Sequence, residues 1–308
     1  MPSENSEMTL CLTIFANSDG NISTTLVGSI TVLFAFINIA SNALLIFAMY
    51  KSKQIRTHSN KFLLIMTISD LCTGIFVMPG LGIFWIAGKQ RSCLEVQVME
   101  FLMMFFAYMS ILMIVCISVD RYFHVTKQGR YQAWMNRFRF SLIVAAFLGV
   151  GFVMAMLSIS LTSFYLVVAM VIFNLLQVLC LIIFNTRTLR ILERHQRTTV
   201  LRLQNGSRIA NGLQIVPNEK LRAVRTIRLV LAAVLACYLP VNIATIAWTY
   251  FKFNLHIKPG FTLTVLYEWT KPIMLSVTFL NSLIIFQGNK KIRRTLSSIF
   301  RKDRVDHE

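Results

Sequence analysis

Asp120-Arg121-Tyr122 stands where a long apolar run meets a basic stretch. A guanidinium at such a boundary needs a neutralising carboxylate, and the adjacent Asp supplies one. A pair of that kind can be broken and remade, so its chemistry is that of a switch. Asp70, in Ile68-Ser69-Asp70-Leu71, is the second candidate. A carboxylate at mid-membrane depth costs roughly 2.5–3.5 kcal/mol on insertion scales, which makes it a functional candidate unless a neighbouring helix merely satisfies it. Asn42 is the polar residue at mid-depth in the first apolar run, and Glu100, Glu268 and Lys271 lie toward the far ends of theirs. Those three either face a cavity or sit at a wet interface. None of the five histidines, His58, His124, His195, His256 and His307, falls at mid-depth, which argues against a membrane enzyme built on clustered His or carboxylates.

The elements that position these residues are apolar helices. Of the 308 residues, 56% are hydrophobic, and mean hydropathy is +0.62. Several apolar runs exceed the roughly 18–20 residues needed to cross about 30 Å of hydrocarbon. No short segments of period-2 alternation suggest a barrel. Spans are expected at about 26–50, 59–84, 94–125, 139–158, from 162 past 184, 219–250 and 261–286. This is an all-α membrane protein, a seven-helix bundle over 26–286 preceded by an extracellular N-terminus, 1–25. The run 140–184 is too long for one span and must turn at Ser158-Ile159-Ser160-Leu161-Thr162-Ser163. Asn205-Gly206, Asn211-Gly212 and Pro217-Asn218 mark 198–219 as a mobile cytoplasmic loop. Pro240, inside the sixth run, costs one backbone hydrogen bond and predicts a bend. In 287–300, Ile292, Leu296, Ile299 and Phe300 oppose a basic face, the pattern of an amphipathic helix on anionic lipid, followed by a short tail, 301–308.

The formal charge of +18 would suit a nucleic-acid binder, but its distribution does not. All but six of the 31 Lys and Arg residues fall in 51–58, 121–139, 185–228 and 287–308. Basic residues in alternate loops mark the cytoplasmic side. Residues 1–25 carry no Lys or Arg and begin with no basic-apolar-small signal, so the first helix is expected to act as its own anchor, with the N-terminus outside. Asn21-Ile22-Ser23 is then an accessible glycosylation sequon, whereas Asn205-Gly206-Ser207 lies inside and should stay unmodified. Cys72, Cys116, Cys180 and Cys237 fall within apolar runs and read as packing residues. Cys11 and Cys93 both map outside, where they either form a disulfide or remain unpaired with each other.

Seven helices, Asp70, Asp120-Arg121-Tyr122, Pro240 and the basic terminal helix, in this order and at these depths, resemble a class A, rhodopsin-like G-protein-coupled receptor over about 26–300. The resemblance implies a receptor at the plasma membrane that couples to a heterotrimeric G protein and needs no cofactor, with a sodium ion at Asp70 as an option. It implies that Asp120, Arg121, Tyr122, Tyr238, Pro240 and Asn281 switch and couple. Asn42, Asp70, Ser110 and Asn281 would form a buried polar site, Ser110 lying eleven residues before Arg121. Cys237-Tyr238-Leu239-Pro240 matches Cys-Trp-x-Pro with Tyr for Trp, and Asn281-Ser282-Leu283-Ile284-Ile285 matches Asn-Pro-x-x-Tyr with Ser for Pro and Ile for Tyr. Lys220 replaces the acidic partner of the motif Arg, which favours separation of the sixth helix and raised basal activity. The usual disulfide between the third helix and the second loop has no cysteines to form it. The short fourth connection and the missing helix 5 proline resemble the melanocortin receptors, within the group holding lipid, cannabinoid and adenosine receptors.

Met103 stands where amine receptors carry Asp, and Leu275 where opsins carry Lys, so neither a biogenic amine nor retinal is expected. Glu100, Met103, Met104, Tyr238, Asn242 and Lys271 are the candidate pocket for a small molecule, lipid or peptide. Two alternatives remain: a non-signalling decoy, given the altered seventh helix, and a transporter, for which internal repeats and paired broken helices are missing.

Overall fold

In a computed structural model the chain is described over residues 22–53, 58–87, 92–127, 135–159, 164–204, 218–253, 255, 260–289, 291–295 and 297–298. Seven helices in these residues are long and apolar enough to cross a membrane, and an α-helix pairs most of its backbone polar groups internally, as a hydrocarbon environment demands. They are α1 (Ile22–Lys51), α2 (His58–Cys72, a π turn Thr73–Val77, then Met78–Ala87), α3 (Cys93–Lys127), α4 (Arg137–Ile159), α5 (Phe164–Gln204), α6 (Asn218–Phe253) and α7 (Phe261–Gly288). The chain is a multi-pass membrane protein. The end carrying Asp120-Arg121-Tyr122 is called the basic end here.

α3 is the axis. It packs on α2, α4 and α5, while α6 packs on α5 and α7, and α7 closes the ring on α1. Of its most apolar window, 56% is buried against the bundle, compared with 17% for α4. Met103, Met109, Ile111, Met113 and Ile114 of α3 meet Met66, Val77 and Leu81 of α2 and Leu181, Val234 and Leu275 beyond them in one core. The unbranched methionines fill irregular gaps between crossing helices. Leu33, Phe36, Phe47 and Tyr50 on α1 and Ile172, Leu176 and Leu179 on α5 point outward.

Three local features depart from the sequence expectations. α2 is not regular: after Asp70 it widens into the π turn, with the Met78 N–H donating to the Thr73 carbonyl. Pro79 follows directly. It has no N–H to give and its ring crowds the preceding turn, so the extra residue relieves the clash. α5 runs to Gln204, well into the stretch read as loop, and α6 resumes at Asn218. Cys180 faces out of the bundle, whereas Cys116 and Cys237 are buried. Pro240 lies inside α6 without ending it. Past α7, residues 291–295 are helical. Asn289 caps them, its Oδ1 accepting from the Lys291 and Ile292 N–H groups at 3.1 and 3.3 Å, and Ile292 is fully buried.

Candidate functional site

Most buried hydroxyls in this bundle are satisfied within their own helix. Thr31, Thr67, Thr188 and Thr249 each donate to the carbonyl four residues back, so they need no further explanation. Among the described residues, several of the polar groups that reach across helices converge around Asp70. Asn38 Nδ2 of α1 donates to the Asp70 backbone oxygen of α2 at 2.6 Å. Asn42 Nδ2 donates to Asn38 Oδ1 at 2.5 Å and, at 3.4 Å, to the Thr278 carbonyl of α7. Ser282 Oγ of α7 donates back to Asn42 Oδ1 at 2.5 Å, and Asn281 Nδ2 donates to Asp70 Oδ2 at 3.4 Å. Asn38, Asn42, Asp70, Asn281 and Ser282 are all fully buried. Gly74 in the π turn makes room: a Cβ there would lie 2.5 Å from Asn38 Nδ2.

Ser110 of α3 adjoins Asp70. Three oxygens here, Asp70 Oδ1, Asn281 Oδ1 and Ser110 Oγ, have no hydrogen-bond partner in the protein. A carboxylate, an amide oxygen and a hydroxyl are the donor set of a small hard cation, and the residues fit the sodium ion that the resemblance implies. Among the described residues no group of three His, Cys, Asp or Glu offers a transition-metal site.

At the basic end, Asp120 is buried at 5% exposure, and it lies within electrostatic range of Arg121, whose Nε has no hydrogen-bond partner. Tyr122 meets Phe184 of α5 edge-on, with ring centroids 5.5 Å apart. Tyr238 of α6 is buried in the core that also holds Cys237, and Cys237 Sγ touches Ser276 Oγ of α7 at 3.6 Å. The side chain of Lys220 lies outside the described part, as do Cys11, Asn21 and the side chain of Cys93.

Toward the other end, a cleft opens between α3, α4, α5, α6 and α7. Met104, Tyr108 and Ile111 form one wall, Val167, Met170, Val171 and Asn174 another, and Tyr238, Asn242, Thr245 and Met274 the rest, with Ser158 at the α4 edge. Of the residues singled out by sequence, Met104, Tyr238 and Asn242 line it. Met103 is buried in the core instead. Glu100 and Lys271 form a separate group: Lys271 is buried at 4% exposure, its Nζ 4.9 Å from the Tyr267 ring centroid, with Glu100 and Glu268 in electrostatic range. Carboxylates of both α3 and α7 thus lie near that lysine.

Sequence reasoning missed Asn38, although it lies one turn before Asn42 and so on the same face. It read Ser282 as a lost proline and not as a gained hydroxyl. It also passed over Asn174, which adjoins the Tyr108 hydroxyl.

The described residues thus form a seven-helix membrane bundle with a charged pair at one end, a buried polar centre and a cleft toward the other. Residues 41–163 match the family described as 7 transmembrane receptor (rhodopsin family), and over them the chain is similar to that family. Among its relatives are dopamine receptor 1 of Drosophila melanogaster, 31% identical over 38% of this chain and 23% of the relative, and melanopsin-B of Xenopus laevis, 28% identical over 38% and 22%. Adenosine receptor A3 of Bos taurus is 29% identical over 34% and 32%. The chain thus spans less than a third of the length of these curated relatives. They are receptors, not enzymes, and their spread over several receptor types singles out no subgroup, the melanocortin one included.

Proposed function

We propose that this chain sits in the plasma membrane with its N-terminus outside and converts binding of an extracellular ligand into activation of a heterotrimeric G protein. The agonist favours a state in which α6 swings out about Pro240 and opens the basic end around Arg121. The observation that carries this reading is the placement of Arg121. It stands at the basic end of the central helix, beside the buried carboxylate of Asp120, with its Nε uncommitted. A guanidinium so held is available to an incoming carbonyl once the neighbouring helix moves. A sodium ion held by Asp70, Ser110 and Asn281 would supply the countercharge that the Asp70 carboxylate lacks, and Asn281 would tie α7 to α2 across it.

The departures at Ser282 and Ile285 favour a second reading, a seven-helix protein that binds ligand without signalling. Ile285 is buried at 7% exposure where the family's pattern has a hydroxyl-bearing Tyr. The deciding measurement is ligand-free second-messenger output from the wild type beside Arg121→Ala at matched surface level. With Lys220 in place of an acid on α6, the wild type is expected to show output above untransfected cells, and Arg121→Ala to abolish it. Equal output from both would reject the coupling role of Arg121.

A further inference from the structure

We infer that the cleft takes an uncharged ligand: an apolar body carrying one amide-like or hydroxyl head that exchanges hydrogen bonds with Asn242 and Asn174. This deepens the receptor reading and rests on it. None of the described residues lining the cleft carries a formal charge. A charged head brought into such walls would lose its hydration and find no countercharge.

Two charged groups among the described residues, Glu100 and Lys271, do not change this. Glu100 is one turn from Met104, but it belongs with Lys271 and Glu268, where cation and carboxylates already answer one another. Met103, at the position where a carboxylate would greet an amine, is buried in the core and not in the cleft. The polar groups that do face the cleft are amides and hydroxyls, each able to donate and accept. Asn242, at 8% exposure, is the one amide contributed by α6. A head bound to it would therefore touch the helix whose movement the receptor reading requires. The rest of the wall is Met, Val, Ile and Ala107, and its methionines are flexible enough to close on an alkyl or ring body.

The test uses the purified full chain in phosphatidylcholine nanodiscs and three probes that share one C18 body: oleamide (neutral), oleylamine (cationic) and oleate (anionic). The midpoint of thermal unfolding is followed as each is titrated at the same mole fractions. For the wild type, oleamide is expected to reach half-maximal stabilisation at a concentration at least about tenfold lower than the other two. Asn242→Leu should erase that preference, and Asn242→Asp should move it to oleylamine. Preference of the wild type for oleylamine or oleate overturns the proposal. So does equal response to all three, which is partitioning into the disc only, and so does no response to any. The wild-type ratio stands whether or not the variants fold. Probe-free nucleotide exchange on a G protein in the same discs reports the receptor reading separately: exchange without oleamide preference rejects the ligand class alone.

Discussion

Ser282 shows how one residue can alter a buried site without emptying it. Where the family's pattern has a proline, this chain has a hydroxyl that donates to Asn42 Oδ1 at 2.5 Å and so joins α7 to α1 directly. Ser282→Ala leaves that amide oxygen without its donor inside the membrane, at a cost of about 1 kcal/mol for a cross-helix hydrogen bond. A fall of roughly 2–4 °C in the unfolding midpoint is expected, and an unchanged midpoint would show the contact to be idle. The three unpartnered oxygens at Asp70, Asn281 and Ser110 yield a separate prediction. Replacing choline chloride by sodium chloride at constant ionic strength should raise the wild-type midpoint, because a cation that binds only the folded state stabilises it by mass action. Asp70→Ala should abolish the rise. Asp70 and Asn42 were legible in the sequence because a carboxylate or amide at mid-depth is costly, and Asn281 only through the motif it matches. The wiring was not: the spacing of Asn38 and Asn42 could have been read, but nothing local shows that Ser282 lies opposite Asn42, 240 residues away.

At the scale of elements, the basic ends of α6 and α7 touch through a missing side chain. A Cβ at Gly288 would run into the Thr226 side chain, overlapping its Oγ1 and lying 2.7 Å from its Cβ and Cγ2. Thr is branched at Cβ and stiff at χ1, so it cannot swing clear. Gly288→Ala should therefore push α6 away from α7 at the end where Arg121 lies, and raise ligand-free nucleotide exchange by several fold. Thr226→Gly in the same chain should bring exchange back down. If Gly288→Ala leaves exchange unchanged at equal surface level, that contact does not hold the basic end closed. Helix number and approximate spans were legible from hydropathy alone, since length and composition suffice for a membrane helix. The π turn was not, because Pro79 can be met by a kink, a break or an added residue, and which of these occurs depends on how α1 packs against Gly74. The length of α5 beyond 197 was also hidden: turn residues begin only at Asn205, and the polar stretch before them reads equally as helix or loop.

For the whole molecule, the remaining question is which way the bundle faces. The basic end is defined by sequence and fold together: Lys51, Lys127 and Arg137 lie at helix ends on the side of Asp120-Arg121-Tyr122, and Arg187 and Arg228 lie in the stretches of α5 and α6 that run on past the apolar core of their spans. Basic flanks stay on the side of synthesis because carrying them across costs more than leaving them. That asymmetry makes the two sequons, Asn21 and Asn205, opposite reporters: they precede α1 and follow α5, five spans apart, and an odd number of spans puts them on opposite faces. Glycosylation occurs only on the lumenal face. The chain made in mammalian cells should therefore shift on a gel after glycan removal by one glycan and no more. Asn21→Gln should abolish the shift, and Asn205→Gln should leave it intact. The reverse result would invert the bundle, place the Arg121 end outside the cell and remove the basis for coupling to a cytoplasmic G protein. A shift lost only when both are changed would mean that two orientations coexist, and that the charge bias across the seven spans is too weak to fix one.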